Sequence, residues 1–533
     1  MTAPRIEMHG WSMRDPGALG EEWRAQGWWC DETMGEVARR IARDEPDRIF
    51  LVDGDVRVSA GQLLCSADAM AMQFRAREIE QGDVVSFMLP NWHEAATIYL
   101  AASLVGAVAH PIVPQLRDNE VSFMLADSGS RMIFVPAEFR GFDYRAMMDR
   151  VNVRLEKPVE VVVLRGDPEE YTPYFQMLEA VKNPLPLPQV DPDSVKMLMY
   201  TSGTTGRPKG VLHSHNSIHA LIRQIGRHWH VDPGDSFLVP SPISHIGGSI
   251  YAFEMPLLCG TTAVLQEQWD PAAAVEIIDR EHCTHMAGAT PFLDGLLDAA
   301  QQAGSRLPSL KVFICGGASV PPALIRRAQE QFEKAAVSRV YGSTEVPVLT
   351  VGALEQGEED KAAETDGRIG IAEVQLVKGE VTARGAQMLR GYHHAEDEAE
   401  AFTSDGFFRM GDLAREEQGG YLVVTGRAKD IIIRNGENIA PKEIEDLLVG
   451  HPGIADVTVV GLPDPRTGER ACVVIVPSGT DRPDRASLAT FLGELGVAKF
   501  KWPEQVELRA ELPRNAAGKV LKHVLQKELS EGD

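Results

Sequence analysis

The chain has 533 residues, with 77 acidic side chains against 53 lysines and arginines, which gives a formal net charge of −24. This charge opposes binding to nucleic acid or to an anionic membrane through long-range attraction. The length is too great for a single core, and a hydrophobic fraction of 44% with 24% charged residues is ordinary for a globular protein.

No apolar run reaches the length of a membrane span, and the first residues lack the charged-then-apolar layout of a signal peptide. We therefore expect a cytoplasmic protein without a membrane-spanning segment. The six cysteines include no CxxC pair, so we expect reduced thiols and neither a disulfide framework nor a thiolate zinc site.

Strands and helices alternate through the first part of the chain. Thr33 and Glu36 can form a capping box at the start of an amphipathic helix, and residues 49–58 read as a hairpin. The alternating segments that follow are strand 84–89, helix 93–104, strand 108–113, helix 118–126 and strand 132–135. Short buried strands separated by helices predict a mostly parallel, doubly wound sheet.

The run YTSGTTGRPKG, from Tyr200 to Gly210, has a composition that no packed core requires. Glycines let the backbone curl so that several N–H groups face one concavity, hydroxyls add donors, and a lysine adds positive charge. The sequence predicts a phosphate-binding loop formed by Thr201, Ser202, Gly203, Thr204, Thr205, Gly206 and Lys209. The pattern GxxxxGK[ST] is absent, which argues against a kinase, a GTPase or a motor ATPase.

A second alternating series follows, with a helix at 217–229 and further strands and helices between residues 260 and 341. Two consecutive doubly wound halves fit one large N-terminal domain, residues 1–427. After Gly367 short strands dominate, and Pro441 suits the first turn of a helix that runs to Val449. The sequence therefore predicts a small α+β domain at residues 428–533.

Three further segments contain residue types that bind ligands. Two glycines in the run ICGGA (314–318) allow a flat ligand to approach the backbone. The run YGSTE (341–345) offers an aromatic ring, a hydroxyl and a carboxylate, the last of which suits Mg²⁺. Asp412 lies 15 residues before Arg427, and its carboxylate can accept hydrogen bonds from ribose hydroxyls.

These runs and their order resemble the motifs of the adenylate-forming superfamily, which includes acyl-CoA synthetases, adenylation domains of peptide synthetases and luciferases. The resemblance covers the chain from about residue 30 to the end. It implies an α/β protein whose large N-terminal domain contains two doubly wound sheets and a small β-barrel. A hinge then joins this domain to a small α+β C-terminal domain.

The resemblance also implies a role for each matching residue. Besides the loop, the residues that bind ATP or AMP are Gly316, Gly317, Ala318, Tyr341, Gly342, Asp412 and Arg427. The catalytic residues are Lys519, Thr344, Glu345 and His245. Among these, Glu345 ligates Mg²⁺ and Lys519 bridges the carboxylate and the α-phosphate while negative charge develops.

Further positions match the family's mobile parts and its acyl pocket. Lys429 falls on the hinge, and Asn435 and Gly436 fall on the loop that lines the coenzyme A tunnel. The acyl pocket is assigned to His245, Ile246, Gly247 and Gly248. Because glycines lack side chains, Gly247 and Gly248, together with the glycines at 316 and 317, are expected to leave room for a wide acyl group.

The reaction implied is a two-step ligation, in which ATP and a carboxylic acid give acyl-AMP and coenzyme A then displaces AMP. The whole chain resembles ligases for cyclohexanecarboxylate-type and medium-chain acids most, with aryl activators as cousins. The alternatives are an adenylation enzyme that loads a carrier-protein thiol, a luciferase-like oxygenase and a non-catalytic ATP-binding protein. The oligomeric state stays open, with a homodimer as one candidate.

Two features depart from this pattern or compete with it. The interval 366–391 is shorter than in the family and lacks one hairpin. The histidines His213, His215 and His219 have spacing that invites a metal site, but no cysteine or carboxylate partner is suitably placed. We therefore interpret the three histidines as a cluster at the start of a helix.

Overall fold

The computed structural model describes residues 4–201, 207–318, 320–435, 437–514 and 520–531. The first strands are β1 (Arg5–Met8), β2 (Trp11–Arg14), β3 (Ile49–Asp53), β4 (Val56–Ser59), β5 (Val84–Phe87), β6 (Val108–Pro111), β7 (Met132–Pro136), β8 (Glu138–Phe139), β9 (Phe142–Asp143), β10 (Glu160–Leu164), β11 (Thr172–Pro173), β12 (Val195–Thr201) and β13 (Lys209–Ser214). The first helices are α1 (Ala18–Ala25), α2 (Met34–Asp44), α3 (Ala60–Ala76), α4 (His93–Val105), α5 (Asp118–Ser128), α6 (Tyr144–Asn152) and α7 (His215–His228).

The next part of the chain repeats the alternation. Its strands are β14 (Ser236–Val239), β15 (Thr262–Leu265), β16 (His285–Gly288), β17 (Val312–Gly316) and β18 (Ala336–Val340). Its helices are α8 (Ile246–Ser249), α9 (Met255–Cys259), α10 (Pro271–Glu281), α11 (Thr290–Ala303), α12 (Pro322–Gln331) and α13 (Glu359–Glu364). One turn of π-helix, Ile250–Glu254, joins α8 to α9.

Shorter antiparallel elements follow. The strands are β19 (Glu373–Val377), β20 (Glu380–Arg384), β21 (Phe408–Glu417), β22 (Tyr421–Arg427), β23 (Ile432–Arg434), β24 (Glu437–Ile439), β25 (Ile454–Asp464), β26 (Gly468–Pro477) and β27 (Gln505–Leu508). The helices are α14 (Pro441–Leu448), α15 (Arg485–Glu494) and α16 (Lys522–Glu531).

The predicted capping box opens α2. The backbone N–H of Thr33 donates to the Glu36 carboxylate at 2.7 Å, and the backbone N–H of Glu36 donates to the Thr33 hydroxyl at 3.2 Å. Both donors would otherwise lack a partner within the first helical turn. The predicted start of this helix is therefore confirmed.

Two seven-stranded sheets form the main body, as the alternating pattern predicts. Their strand orders are β11-β10-β7-β5-β6-β12-β13 and β18-β17-β16-β14-β15-β3-β4. Each is parallel except for one antiparallel edge strand, β13 in the first sheet and β4 in the second. A single apolar core contains residues of both sheets and of α2, α3, α4 and α7, which makes the two sheets one packed unit.

Where the family pattern leads us to expect a small β-barrel, the structure has a four-stranded antiparallel sheet. Strands β19 to β22 pair antiparallel in sequence order, and the interval 366–391 contains the hairpin of β19 and β20. Residues 366–369 pair with the other side of β22, since the Leu422 N–H donates to the Gly367 carbonyl at 3.0 Å. This sheet still places Asp412 directly opposite Arg427.

The C-terminal strands form a separate five-stranded sheet. The pairing order is β24-β23-β26-β25, and β27 joins β26 in parallel. Its apolar face packs against α14 and α15 around Ile444, Leu448 and Leu488. These residues form a small α+β unit with a core of its own, as predicted. Within the described ranges, no helix of the chain is long and apolar enough to cross a membrane.

Candidate active site

Two antiparallel strands bracket the predicted phosphate-binding loop. Strand β12 ends at Thr201, which pairs with Lys209 at the start of β13. The Thr201 Oγ1 lies 3.5 Å from the Lys209 carbonyl oxygen, so the two ends of the loop meet. The predicted residues Ser202, Gly203, Thr204, Thr205 and Gly206 lie outside the described residues, and their role remains a prediction.

The cations beside this loop are held by one carboxylate. The Lys209 Nζ lies 3.6 Å from Asp397 Oδ1, and the Arg207 guanidinium lies 3.0 Å from Asp397 Oδ2. The ammonium also lies 5.2 Å from the ring centroid of Tyr392, within the range of a cation–π contact. Lys209 is therefore aimed at the space between Asp397 and Tyr392.

Tyr392 connects this lysine to Glu345. The Tyr392 hydroxyl donates to Glu345 Oε1 at 2.9 Å, and burial beside that carboxylate raises the pKa of Tyr392 above its ordinary value. A tyrosine that stays protonated acts as a fixed donor, so it orients one oxygen of Glu345. The second oxygen of the carboxylate can serve as a ligand for a hard cation.

His213 fixes the residue before Glu345. Its Nε2 donates to the Thr344 carbonyl at 2.8 Å, across 131 residues of sequence. Burial lowers the pKa of His213 to about 4, so the imidazole is neutral and keeps its N–H near neutral pH. The interpretation as a cluster at a helix start holds for His215 and His219, which lie in α7, whereas His213 lies in β13.

Tyr341, Asp412 and Arg427 form one contact chain. The Tyr341 hydroxyl donates to Asp412 Oδ2 at 2.6 Å, and the Arg427 Nε lies 3.1 Å from Asp412 Oδ1. Asp412 is buried, and Tyr341 has a pKa well above its ordinary value because of burial and the nearby carboxylate. A carboxylate has about four positions that accept hydrogen bonds. Asp412 can therefore accept hydrogen bonds from both partners and still accept two more from the hydroxyls of a diol.

The glycines of the predicted nucleotide pocket serve different purposes. A Cβ on Gly342 would lie 2.7 Å from the Val348 nitrogen, and one on Gly316 would lie 2.7 Å from the Val340 carbonyl oxygen. Those two glycines permit close backbone packing. Gly317 has a φ of +82° with open space around it, and it is exposed together with Ala318. These two residues present free backbone to a ligand.

His245 is the residue directly before helix α8. Its Nε2 is buried without a hydrogen-bond partner among the described residues, and burial lowers the pKa of the ring. Ile246 and Gly247 follow at the helix start, and a Cβ on Gly247 would meet only Tyr251, at 3.9 Å. The expectation that Gly248 leaves room for substrate is wrong, since the Pro242 carbonyl fills that space at 2.0 Å.

The predicted hinge and coenzyme A residues lie farther along the chain. Lys429 is exposed in the turn after β22. Asn435 has a left-handed φ of 51° and donates its backbone N–H to the Thr467 carbonyl at 2.8 Å. Gly436 and Lys519 lie outside the described residues. The structure therefore brings together Thr201, Lys209 and the run 341–345 with Asp412 and Arg427, and it leaves the remaining assignments as predictions.

The sequence alone gave no sign of Tyr392 or Asp397. Both belong to a segment that pairs with β13, since the backbone of Leu212 donates to the Gly391 carbonyl at 3.0 Å. The Leu389 N–H also donates to the Glu345 carbonyl at 2.8 Å, so the same segment supports the metal-ligand candidate. The one available signal was the Gly-Tyr pair beside a charged run, which is common in ordinary turns.

Comparison with known proteins places this constellation in context. A family model described as AMP-binding enzyme matches residues 38–393, and the AMP-binding enzyme C-terminal domain matches residues 443–519. A medium-chain fatty-acid–CoA ligase of Escherichia coli (strain K12) is 31% identical, over 95% of this chain and 92% of that protein. A 2,3-dihydroxybenzoate-AMP ligase of Bacillus subtilis (strain 168) is 32% identical, over 97% of each.

A solved structure supports the same relationship. The fatty acyl CoA synthetase of Mycobacterium tuberculosis matches with a TM-score of 0.72 and 28% identity, over 94% of this chain and 99% of that one. The match extends over both the large sheets and the C-terminal unit, because nearly the whole of each chain is covered.

Proposed function

The chain belongs to the AMP-binding enzyme family and is an AMP-forming acyl-CoA ligase, and we propose that its acid is a bulky alicyclic or medium-chain carboxylic acid. In the first step an acid oxygen attacks the α-phosphorus of ATP, and the bond from that phosphorus to the pyrophosphate oxygen breaks. In the second step the thiol of coenzyme A attacks the acyl carbon, and AMP leaves. Activation is needed because a carboxylate is a poor electrophile.

We base the assignment of residue roles on the contact chain formed by Tyr341, Asp412 and Arg427. It joins an aromatic ring, a buried diol acceptor and a cation, and the run 341–345 that begins with Tyr341 also contains Thr344 and Glu345. We assign adenine to the face of Tyr341, ribose to Asp412 and Arg427, and the α-phosphate to Thr344. Lys519 is assigned to the charge that develops as pyrophosphate leaves.

Glu345 is the residue that would hold Mg²⁺. The fit is supported by the geometry, because Tyr392 fixes one carboxylate oxygen at 2.9 Å and the other oxygen is a hard ligand of the kind Mg²⁺ prefers. When bound, the ion would neutralise phosphate charge. The residues of this chain orient the nucleotide around that position.

The preference for a bulky acid rests on the chemistry of the pocket. The segment His245 to Gly247 borders a large apolar core that includes Ile243, Ile250 and Phe253. An apolar pocket gains about 0.8 kcal/mol for each methylene that it buries, while acetate offers almost nothing to bury. The names of the relatives span a medium-chain fatty acid and a dihydroxybenzoate, so family membership alone does not select the acid.

A second candidate is a stand-alone aryl or acyl adenylation enzyme that loads a carrier-protein thiol. The 32% identity to a 2,3-dihydroxybenzoate-AMP ligase over nearly the full length favours it. The acyl adenylate is common to both candidates, so the thiol acceptor is what separates them. A non-catalytic ATP-binding protein would bind ATP without releasing pyrophosphate.

A pyrophosphate-release screen tests the proposal. Purified protein is mixed with Mg·ATP and a panel of acids, first with coenzyme A and then with hydroxylamine in its place. We expect cyclohexanecarboxylate and octanoate to exceed acetate in kcat/KM, with thioester formed only when coenzyme A is present. Acetate or a free amino acid as best substrate would overturn the pocket assignment. Hydroxamate without any coenzyme A thioester would favour the carrier-protein candidate.

We also propose how the chain divides into domains and where in the cell the enzyme acts. The large domain comprises residues 1–427, and residues 428–533 rotate about Lys429 between the two steps, with Asn435 and Gly436 lining the coenzyme A path. Limited proteolysis with and without an acyl-AMP analogue would detect this motion at the hinge.

The proposed cytoplasmic location agrees with the need for ATP and coenzyme A. We also propose a homodimer, which light scattering would test.

A further inference from the structure

A cluster of fully buried polar residues surrounds Lys196 of β12 and Glu254 of the π-helical turn. The Lys196 Nζ lies 2.5 Å from Glu254 Oε1, and neither side chain has any exposed surface. The Tyr99 hydroxyl donates to the same Glu254 oxygen at 2.8 Å. Two buried histidines complete the cluster. The Met34 Sδ lies 3.6 Å from the Lys196 Nζ, the Met34 N–H donates to His215 Nδ1 at 3.2 Å, and the ring centroids of His215 and His219 are 6.2 Å apart. None of these groups has a proposed role in the adenylation step or in the thioester step.

The cluster is connected to the proposed acyl pocket by one continuous helical segment, which begins after His245 and includes Ser249 and Glu254. His245 precedes α8, Ser249 follows it by four residues, and Glu254 follows Ser249 by five. Four residues make about one α-helical turn, and five make about one turn where the helix widens to π geometry. The three side chains therefore share one face of the helix. At about 1.5 Å per residue, that face extends about 13 Å from His245 to Glu254.

Several polar atoms of this cluster lack hydrogen-bond partners among the described residues. Both ring nitrogens of His219, the Ser249 hydroxyl and Glu254 Oε2 are buried and unpartnered. Leaving a buried polar group unsatisfied costs about 1–3 kcal/mol. Four such atoms gathered around one ion pair indicate that a further polar group, from water or from a ligand, belongs between them.

The charges of the cluster define the ligand that fits. Lys196 and Glu254 balance each other, and burial holds the pKa values of His215 and His219 well below their ordinary value, so both rings are neutral. A second carboxylate would enter with no cation to offset it and would be strongly disfavoured. A hydroxyl or a carbonyl can use the unpartnered donors and acceptors without adding charge.

We propose that the acyl pocket ends in a polar chamber formed by Lys196, Glu254, Ser249, His215 and His219, which binds an uncharged oxygen function at the far end of the acid. The proposal rests on the proposed function, and it takes as the near end of the pocket His245, which the family resemblance places over the substrate carboxylate. It narrows the substrate to a hydroxy- or oxo-substituted acid with an otherwise apolar skeleton.

Matched pairs of acids test the chamber. The kcat/KM for thioester formation is measured for 4-hydroxycyclohexanecarboxylate against cyclohexanecarboxylate, and for 8-hydroxyoctanoate against octanoate. In at least one pair we expect the oxygenated acid to be preferred by about tenfold or more, because a site with unpaired polar groups discriminates against a ligand that cannot pair them.

Two variants assign the preference to the chamber. Ser249→Ala and His219→Leu each remove unpartnered atoms, so they should leave the fold intact, whereas removal of Lys196 or Glu254 would strand a buried charge. Each variant is expected to lower the preference for the oxygenated acid about tenfold, the value of one lost hydrogen bond. Thr261→Val is the matched control, since it removes a buried unpartnered hydroxyl outside the chamber and should leave the preference unchanged.

The outcomes separate the two proposals. One outcome is that both members of each pair are turned over at equal kcat/KM, and that Ser249→Ala and His219→Leu have no effect. This outcome would show that the chamber holds only water, and it would overturn this inference alone. Absence of thioester with every acid, while the protein is folded, would instead overturn the proposed function.

Discussion

Tyr392→Phe should weaken the enzyme's use of Mg·ATP by removing one oxygen atom. The hydroxyl donates to Glu345 Oε1 at 2.9 Å from a ring that is 4% exposed. A hydrogen bond to a charged group contributes about 1.5–3 kcal/mol, and 1.4 kcal/mol corresponds to a factor of ten. Loss of a group that orients a metal ligand likewise costs about 10- to 100-fold in metal affinity or activity.

The assay is labelled pyrophosphate exchange into ATP at increasing Mg²⁺, which isolates the adenylation step. We expect kcat/KM for Mg·ATP to fall about 10- to 100-fold, with half-saturation displaced to higher Mg²⁺. Tyr421→Phe is the matched control, because that hydroxyl also donates to a glutamate, Glu358, at 2.5 Å, and neither residue is assigned to the nucleotide or to the metal. Equal activity of wild type and Tyr392→Phe at every Mg²⁺ concentration would refute the reasoning.

Three further predictions concern the half-reactions and acid stability. Lys519→Ala should reduce acyl-AMP formation by about 10²- to 10³-fold, as measured by pyrophosphate release, yet spare thioester formation from presynthesised acyl-AMP. Gly436→Leu should spare pyrophosphate exchange and abolish thioester formation, because the side chain obstructs the proposed pantetheine path. Between pH 7 and pH 5, the free energy of unfolding of His213→Gln should fall by about 2 kcal/mol less than that of the wild type, as measured by urea unfolding. The folded pKa of about 4 lies below that of an unfolded histidine, so protonation favours the unfolded chain as the pH falls from about 6.5.

Each of these expectations has a contradicting result. Equal loss of both half-reactions in Lys519→Ala would remove the lysine from its assigned step. If exchange falls as far as overall turnover in Gly436→Leu, the glycine does not line a path used after adenylation. An acid-induced loss of stability in His213→Gln as large as in wild type would show that this imidazole does not titrate with unfolding.

Local signals predicted local structure well. The Thr33 capping box, the hairpin at residues 49–58 and Pro441 in the first turn of α14 all follow from neighbours within a few residues, and the structure contains each of them. Strand β13 was not predicted, because Lys209 to Ser214 directly follows the glycine-rich loop and directly precedes a helix. The long strand β21 was missed for a similar reason, since Gly411 and alternating charges obscure its period.

The contacts that organise the site depend on distant parts of the chain. Asp412 and Arg427 were predicted to act together because their separation of 15 residues matches the family pattern, and the ladder of β21 and β22 places them opposite each other. The contact between Tyr392 and Glu345 joins residues 47 apart, and that between His213 and Thr344 joins residues 131 apart. No periodicity encodes such pairs, because they arise only when two sheets and a connecting segment are packed together.

The electrostatics of the site follow from the same packing. Each described cation predicted to meet the nucleotide already has a carboxylate partner, since Asp397 lies 3.6 Å from Lys209 and Asp412 lies 3.1 Å from Arg427. In a chain of net charge −24, the described part of the site therefore has little free positive charge to attract a bare triphosphate. We expect ATP to bind with its own charge already reduced as the Mg²⁺ complex, and to displace Asp397 from Lys209 as it enters. Specificity for the metal-bound nucleotide then arises from the carboxylates as much as from the cations.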